Sequence, residues 1–253
     1  MAVEEPRSGA RAVDRAIAVL ACFESNDPEL SVSELAQLAG LPVSTTHRLA
    51  QALVRGKLLQ QDVATDRYRI GAGLVSLARP ALSRFELDSA APHLFALAAG
   101  IRITVSVSTV ADRQVHTVFQ ARPPIWFCEH QIPAPRQPLR SSAAGQALLA
   151  FSAAHTVAEE LAGRASGAPD GLHADLDRVR RNGFAVTEID AADPIRCLAV
   201  PIAGAGNRVH GALAVQARSR RLTDELVNRI VPSMRRIAHR VGPLLDTPAA
   251  ASE

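Results

Sequence analysis

The sequence predicts two domains of different class: an N-terminal all-α winged helix-turn-helix and a C-terminal α+β domain reached through a linker helix. Three observations carry this expectation. A chain of 253 residues, 47% of them hydrophobic, is long for one core and ample for two. Between Ser31 and Gly71, two short amphipathic helical patterns precede two strand-like runs around a polar turn. Beyond residue 88, strand and helix patterns follow an order that suits an antiparallel sheet with helices on its faces. The expected boundaries are a disordered start over 1–10, the winged domain over 11–71, the linker helix over 72–87, the second domain over 88–246 and a disordered tail over 247–253.

Val13, Ala16, Ile17, Leu20 and Phe23 form a helical stripe, the expected support for the helices that follow. Asn26 to Glu29 reads as a turn, with Pro28 blocking helical continuation. Ser31 and Glu34 then fit a capping box, in which the hydroxyl takes an amide three residues on and the carboxylate reaches back. Leu35, Leu38 and Ala39 supply the apolar side of that helix, and Gly40 permits the turn. Pro42 opens a second helix with Thr46, Leu49, Ala50 and Leu53 on one face.

The opposite face carries Ser44, Thr45, Arg48, Gln51 and Arg55, with His47 beside them, the residue types that read base edges and phosphates in a major groove. Leu58 to Asp62 and Tyr68 to Ile70 are the expected wing strands, with Thr65, Asp66 and Arg67 near the tip. Charge supports this. Met1 to Leu41 holds three Arg against seven acidic residues, whereas Pro42 to Pro80 holds six basic residues against two Asp. Positive potential therefore sits on the half that would face phosphate. Double-stranded DNA is the expected partner.

Ala72 to Phe85 has a helical pattern that Pro80 should kink or divide, and Pro92 falls in the first turn of a helix running to about Ala99. Ile101 to Val110 alternates apolar and hydroxyl residues and reads as a half-buried strand, paired with Gln114 to Gln120. Ile125 to Glu129 is a candidate third strand, followed by the Pro-rich loop HQIPAPRQP. Helices are expected from Ser142, at Thr156 to Gly163 and at His173 to Asn182. Strands are expected at Phe184 to Thr187, Ile195 to Ile202 and Val209 to Gln216, and Thr223 caps the final helix.

A helix opening near Ser142 would aim its free amides and positive end at the loop Pro138 to Gly145, where a carboxylate is the natural guest. Arg140 offers either a bidentate partner for that carboxylate or a salt bridge to Glu188 or Asp190. Trp126 and Phe127 offer either a pocket wall or an apolar anchor.

Net charge of only +3 argues against an architectural protein that coats DNA along its whole length. No apolar run approaches membrane-spanning length and the acidic start is no signal peptide, so a cytoplasmic location is expected without membrane association. Cys22, Cys128 and Cys197 fit neither a disulfide framework nor a metal pattern. An enzymatic alternative, a Cys/His site drawn from Cys128, Cys197, His116 and His130 fused to a DNA-binding module, lacks any diagnostic spacing. Neither catalysis nor a cofactor or metal is expected.

The runs RAVDRAIAVLACF, SVSELAQLAGLPVSTTHRL and DRYRIG resemble the DNA-binding domain of the isocitrate-lyase-regulator (IclR) family of bacterial transcription factors. PLRSSAAGQALLAF and NGFAVTEIDAADPIRCLAVPI resemble its effector-binding domain in the same order, so the likeness covers about residues 11 to 245. The resemblance implies a sheet related to GAF and profilin-like sensor domains, a small organic-acid effector, control of a catabolic operon by repression or activation, and a homodimer that can pair into a homotetramer, a dimer of dimers. It also implies that the linker contributes to dimerisation, where the residues alone equally allow a connector packed on its own domain. Carried over by position, backbone groups at Ala143 and Ala144 would hold the effector carboxylate beside Arg140 and Ser142, with contributions from Thr187, Cys197, Ala214 and Gln216. Thr187 stands where some members have Asp and Ala214 where some have Ser, which implies a less polar pocket and an effector larger than pyruvate.

Overall fold

The computed structural model describes residues 8–24, 27–83, 87–125, 128–152, 171–204, 206 and 208–244. The expectations for Trp126, Phe127, the helix at Thr156 to Gly163 and the tail from 247 lie outside the described residues. Two compact units emerge, 1–82 and 83–253. Among the described residues no helix is long and apolar enough to cross a membrane.

In the first unit, α1 (Ser8–Ala21) leads to α2 (Val32–Ala39) and α3 (Val43–Arg55), then to β1 (Leu59–Gln61), β2 (Tyr68–Ile70) and α4 (Ala72–Ser83). Ser8 to Ala10, within the expected disordered start, are helical, and residues 1–7 lie outside the described residues. Both arms of the capping box form: the Glu34 amide donates to Ser31 Oγ at 3.3 Å, and the Ser31 amide to Glu34 Oε2 at 2.7 Å. Gly40 has φ 63°, a backbone that L side chains resist, and the Leu41 amide closes the helix end on the Ala36 carbonyl. Val19, Leu35, Ala50, Leu53, Leu59 and Tyr68 make the core. Leu30 pairs with Tyr68 through two backbone bonds, which adds the residue ahead of α2 to the wing sheet.

The α1 stripe is corrected in part. Val13 and Ile17 are each 58% exposed, because the inward face is built from Val19 and Cys22, with Ala16, Leu20 and Phe23 partly covered. Leu38 also faces outward. Helix α4 continues through Pro80 to Ser83 rather than dividing there. The next helix, α5 (Leu87–Ile101), begins earlier than Pro92 suggested, and Pro92 sits within it.

In the second unit, α5 is followed by β3 (Val105–Ala111), β4 (Gln114–Ala121), β5 (Arg136–Pro138), α6 (Ala143–Ala150), α7 (Gly171–Asn182), β6 (Ala185–Ile189), β7 (Ile195–Ala203), β8 (Val209–Arg218) and α8 (Asp224–Val241). The strands form a six-stranded antiparallel sheet in the order β5-β4-β3-β8-β7-β6. Leu198, Val200, Ile202, Leu213 and Val215 pack with α5 and α8 on one face. Cys197, Ala199 and Ala212 pack with α6 and α7 on the other. Helix α6 is buried along its whole length.

Two strand expectations change. The described residues of Ile125 to Glu129 carry no strand, with Glu129–Gln131 a turn of 3-10 helix, and a strand lies instead inside the Pro-rich loop as β5. Pro138 is tolerated there because β5 is an edge strand with only β4 to pair. The hydroxyl-rich strand is buried over Thr104 to Ser108 rather than half-buried, and only its end, Val110 and Ala111, is exposed. It is central, helices cover both faces, and Thr104, Ser106 and Ser108 are inside with the valines.

Candidate functional site

The first candidate surface is α3 with the wing. The Thr46 hydroxyl donates to the Pro42 carbonyl at 3.1 Å and anchors the inner side of the helix. Ser44, His47, Arg48 and Arg55 are exposed on the outer side, and Thr45 is half-buried. Gln51, an expected base contact, is engaged within the protein: its amide donates to Gln61 Oε1 at 2.7 Å and to the Tyr68 hydroxyl at 3.1 Å, which ties α3 to both wing strands. The Gln51 carboxamide has two N–H donors, enough for both bonds, while the buried Tyr68 hydroxyl serves as acceptor.

At the wing tip, Asp62 Oδ1 accepts from the Ala64 and Thr65 amides at 2.8 and 3.0 Å, and these bonds, Thr65 first, hold its carboxyl below the usual range. Asp66 takes φ 55°, a conformation Asp accepts readily, and Thr65 is exposed at the apex. Arg67, the expected phosphate contact, is engaged within the protein. Its guanidinium donates to the Glu29 carbonyl at 3.0 Å and to Glu34 Oε2 at 2.8 Å, and Arg69 pairs with Glu29 at 3.4 Å. Two of the wing's cations are thus neutralised within the protein. Arg48, Arg55 and Lys57 are exposed and make no ion pair among the described residues. Lys57 was missed from the sequence; the signal for it is its place directly after Gly56, at the corner between helix and wing.

The second candidate lies between α6 and the sheet. Ser142 caps α6, accepting from the Gly145 amide at 3.1 Å while donating to the Pro138 carbonyl at 2.7 Å. Gly145 is required there, since a Cβ would stand 2.0 Å from the Leu139 carbonyl oxygen. Ala143 and Ala144, both buried, begin the helix, and their amides have no intrahelical acceptor. On the sheet face beneath, cross-strand register places Thr187 beside Cys197 and Cys197 beside Gln216, with Ala199, Ala214 and Ser106 in the neighbouring row. The expected residues therefore share one face, tightly packed: Cys197 and Gln216 are each only 8% exposed.

That row is internally bonded. Thr187 stands opposite Cys197 across the β6–β7 pair, and the Cys197 S–H donates to Gln216 Oε1 at 3.8 Å. The Gln216 amide donates to the carbonyls of His130 and Ile132 at 3.0 and 2.8 Å, holding the 130–132 loop onto β8. Gln131, also missed, accepts the Thr104 amide at 2.9 Å. Arg140 is half-buried beside the α6 N-terminus and its carbonyl accepts from Gln146 at 3.3 Å, while Glu188 is engaged by the Ser219 hydroxyl.

None of this suits catalysis. Burial pushes the Cys197 thiol up to about 11, and its partners Thr187 and Gln216 are not bases. The His130 ring accepts from Arg218 at 2.6 Å. Among the described residues no three His, Cys, Asp or Glu are grouped to hold a metal ion.

Comparison with known proteins agrees. Residues 12–63 match the IclR helix-turn-helix domain and residues 81–242 the bacterial transcriptional regulator IclR C-terminal domain. The HTH-type transcriptional repressor AllR of Escherichia coli (strain K12) is 26% identical over 238 residues, spanning 87% of this chain and 84% of that protein. The HTH-type transcriptional regulator BhcR of Paracoccus denitrificans is 24% identical over 268 residues, spanning 96% and 91%. The crystal structure of an IclR regulator from Alicyclobacillus acidocaldarius superposes with TM-score 0.72 at 23% identity, over 93% of this chain and 99% of that one. An IclR homologue from Microbacterium hydrocarbonoxydans, complexed with 4-hydroxybenzoate, gives TM-score 0.70 at 22% identity, over 92% and 98%. With both domains matched in order, the chain belongs to the IclR family of bacterial transcriptional regulators and is a ligand-responsive DNA-binding protein.

Proposed function

We propose that this regulator senses an aromatic or branched-chain carboxylic acid beneath α6 and controls a catabolic operon through a pseudo-palindromic operator. The observation that carries the ligand class is the Thr187, Cys197 and Gln216 row. Its Cys197 and Gln216 donors are taken up within the protein, so neither is left to hold the keto oxygen of a two- or three-carbon acid. Polar recognition then falls to the backbone amides at Ala143 and Ala144 beside Ser142 and Arg140, and Ala199 and Ala214 offer apolar contact to the ligand's body. The fold neighbour that holds 4-hydroxybenzoate is consistent with an aromatic acid in this architecture. Calorimetric titration with benzoates, branched-chain acids, pyruvate and glyoxylate tests the reading. Micromolar binding of the larger acids is the expected result; binding of glyoxylate or pyruvate alone overturns it.

On DNA, Arg48 with Ser44, Thr45 and His47 reads bases, while Arg55, Lys57 and the Thr65 tip approach phosphates. The exposed Val13 and Ile17 of α1, with Val75 and Leu77 of α4, supply the apolar surface for a homodimer. Sedimentation equilibrium distinguishes a dimer from a dimer of dimers.

A further inference from the structure

On the face of the sheet opposite α6, helices α5 and α8 enclose a groove of about 760 Å3. Its floor is apolar, formed by the buried Leu97 and Ile230 and the half-buried Leu226. Ala96 and Gly100 leave the α5 wall without bulk. Its rim carries three guanidinium groups, from Arg102, Arg221 and Arg229.

The fold places two of these together deliberately. Arg102 ends α5 with φ 58°, and its carbonyl accepts Arg221 Nη2 at 2.6 Å, which fixes the two residues side by side. Among the described residues no carboxylate pairs with any of the three, although Glu225 lies one helical turn before Arg229. Three arginines line one groove over an apolar floor without a carboxylate paired to them among the described residues, and guanidinium geometry matches carboxylate and phosphate oxygens bidentately. The volume is that of a small-molecule pocket. The α8 wall, Leu226 to Ser233, is about 10 Å long, two helical turns.

We propose that this groove is a second small-molecule site, for an amphipathic anion whose carboxylate or phosphate group meets the arginines while an apolar body lies along the α5–α8 floor. The apolar floor disfavours a nucleic-acid backbone as occupant, and two turns of wall are short for a docked helix. The site is independent of the ligand position beneath α6, because the sheet separates them.

The probe is 8-anilinonaphthalene-1-sulfonate, an apolar ring system bearing one anionic group, titrated into the full chain and followed by fluorescence. Saturable binding is expected, weakened roughly tenfold or more by the Arg102→Ala/Arg229→Ala pair. Because Arg229 is exposed, Arg229→Glu provides a second variant whose folding circular dichroism can verify, and it should weaken the probe further. Decanoate should displace the probe. Unchanged affinity in the arginine variants overturns the proposal, as does equal affinity for the uncharged N-phenyl-1-naphthylamine. Displacement by duplex DNA or by an acidic peptide, but not by decanoate, would assign the face to a macromolecule instead and equally overturn it.

Discussion

Glu34 Oε2 lies 2.8 Å from the Arg67 guanidinium, so the carboxylate that closes the capping box of α2 also holds the wing. Arg67→Ala should therefore leave the salt dependence of DNA binding essentially unchanged, since this side chain is committed within the protein. It should instead loosen the wing, seen as faster hydrogen exchange at the Leu30 and Tyr68 amides. A salt slope shallower by about one unit would restore the phosphate contact that the sequence suggested.

Acid should loosen the same unit. Glu34 is held below its ordinary value of 4.5 chiefly by the Ser31 amide, then the Ser31 hydroxyl and more weakly by Arg67. Asp62 is held below 3.8 by the Thr65 and Ala64 amides. Both folded values are depressed, so their contribution is complete above the ordinary carboxylate range and disappears as pH falls through the folded values. A thermal melt of the first unit across that range should show the loss, blunted in Glu34→Gln/Asp62→Asn. An identical acid dependence in the double variant would place the effect elsewhere.

Arg48 and Gln51 occupy the same outer side of α3 but should respond differently. Arg48→Ala should cost about 1 to 3 kcal/mol on operator and clearly less on random duplex, measured by fluorescence anisotropy. Gln51→Ala should lower stability by about 1 kcal/mol through its lost bonds to Gln61 and Tyr68, with little change in base preference. Equal losses on both duplexes for Arg48→Ala would demote that residue to a phosphate contact.

Ala143→Trp should fill the space at the start of α6. Operator affinity without ligand should survive, and the response to ligand should vanish, because a ligand shifts an equilibrium only by its differential affinity for two states. Anisotropy with and without the best-binding acid measures this, and an unaltered response would move the site away from α6.

Local chemistry was legible in the sequence, and long-range pairing was not. Ser31 with Glu34, Gly40 and the Thr223 cap each act within a few residues, and each forms as read. The exposure of Val13 and Ile17 depends instead on which face α2 and α3 cover. Strand β5 exists only because β4 lends it partners across 20 residues of chain, so no local propensity announced it. At the candidate sites, residue types were visible, but Gln51 and Arg67 found protein partners 17 and 33 residues away, which no spacing rule encodes.

The buried strand Thr104 to Ser108 keeps a strict alternation although neither of its faces meets water. Here the pattern is an address: hydroxyls toward α6, valines toward α5 and α8. A slip of one residue would drive Ser106 and Ser108 into the all-apolar layer and strip Ser106 of its bond to the Ala214 carbonyl. The alternation thus guards against mispairing during folding, and Ser106→Val should weaken that guard. Such a variant would be expected to refold more slowly, or to populate a shifted register, while its native stability changed little.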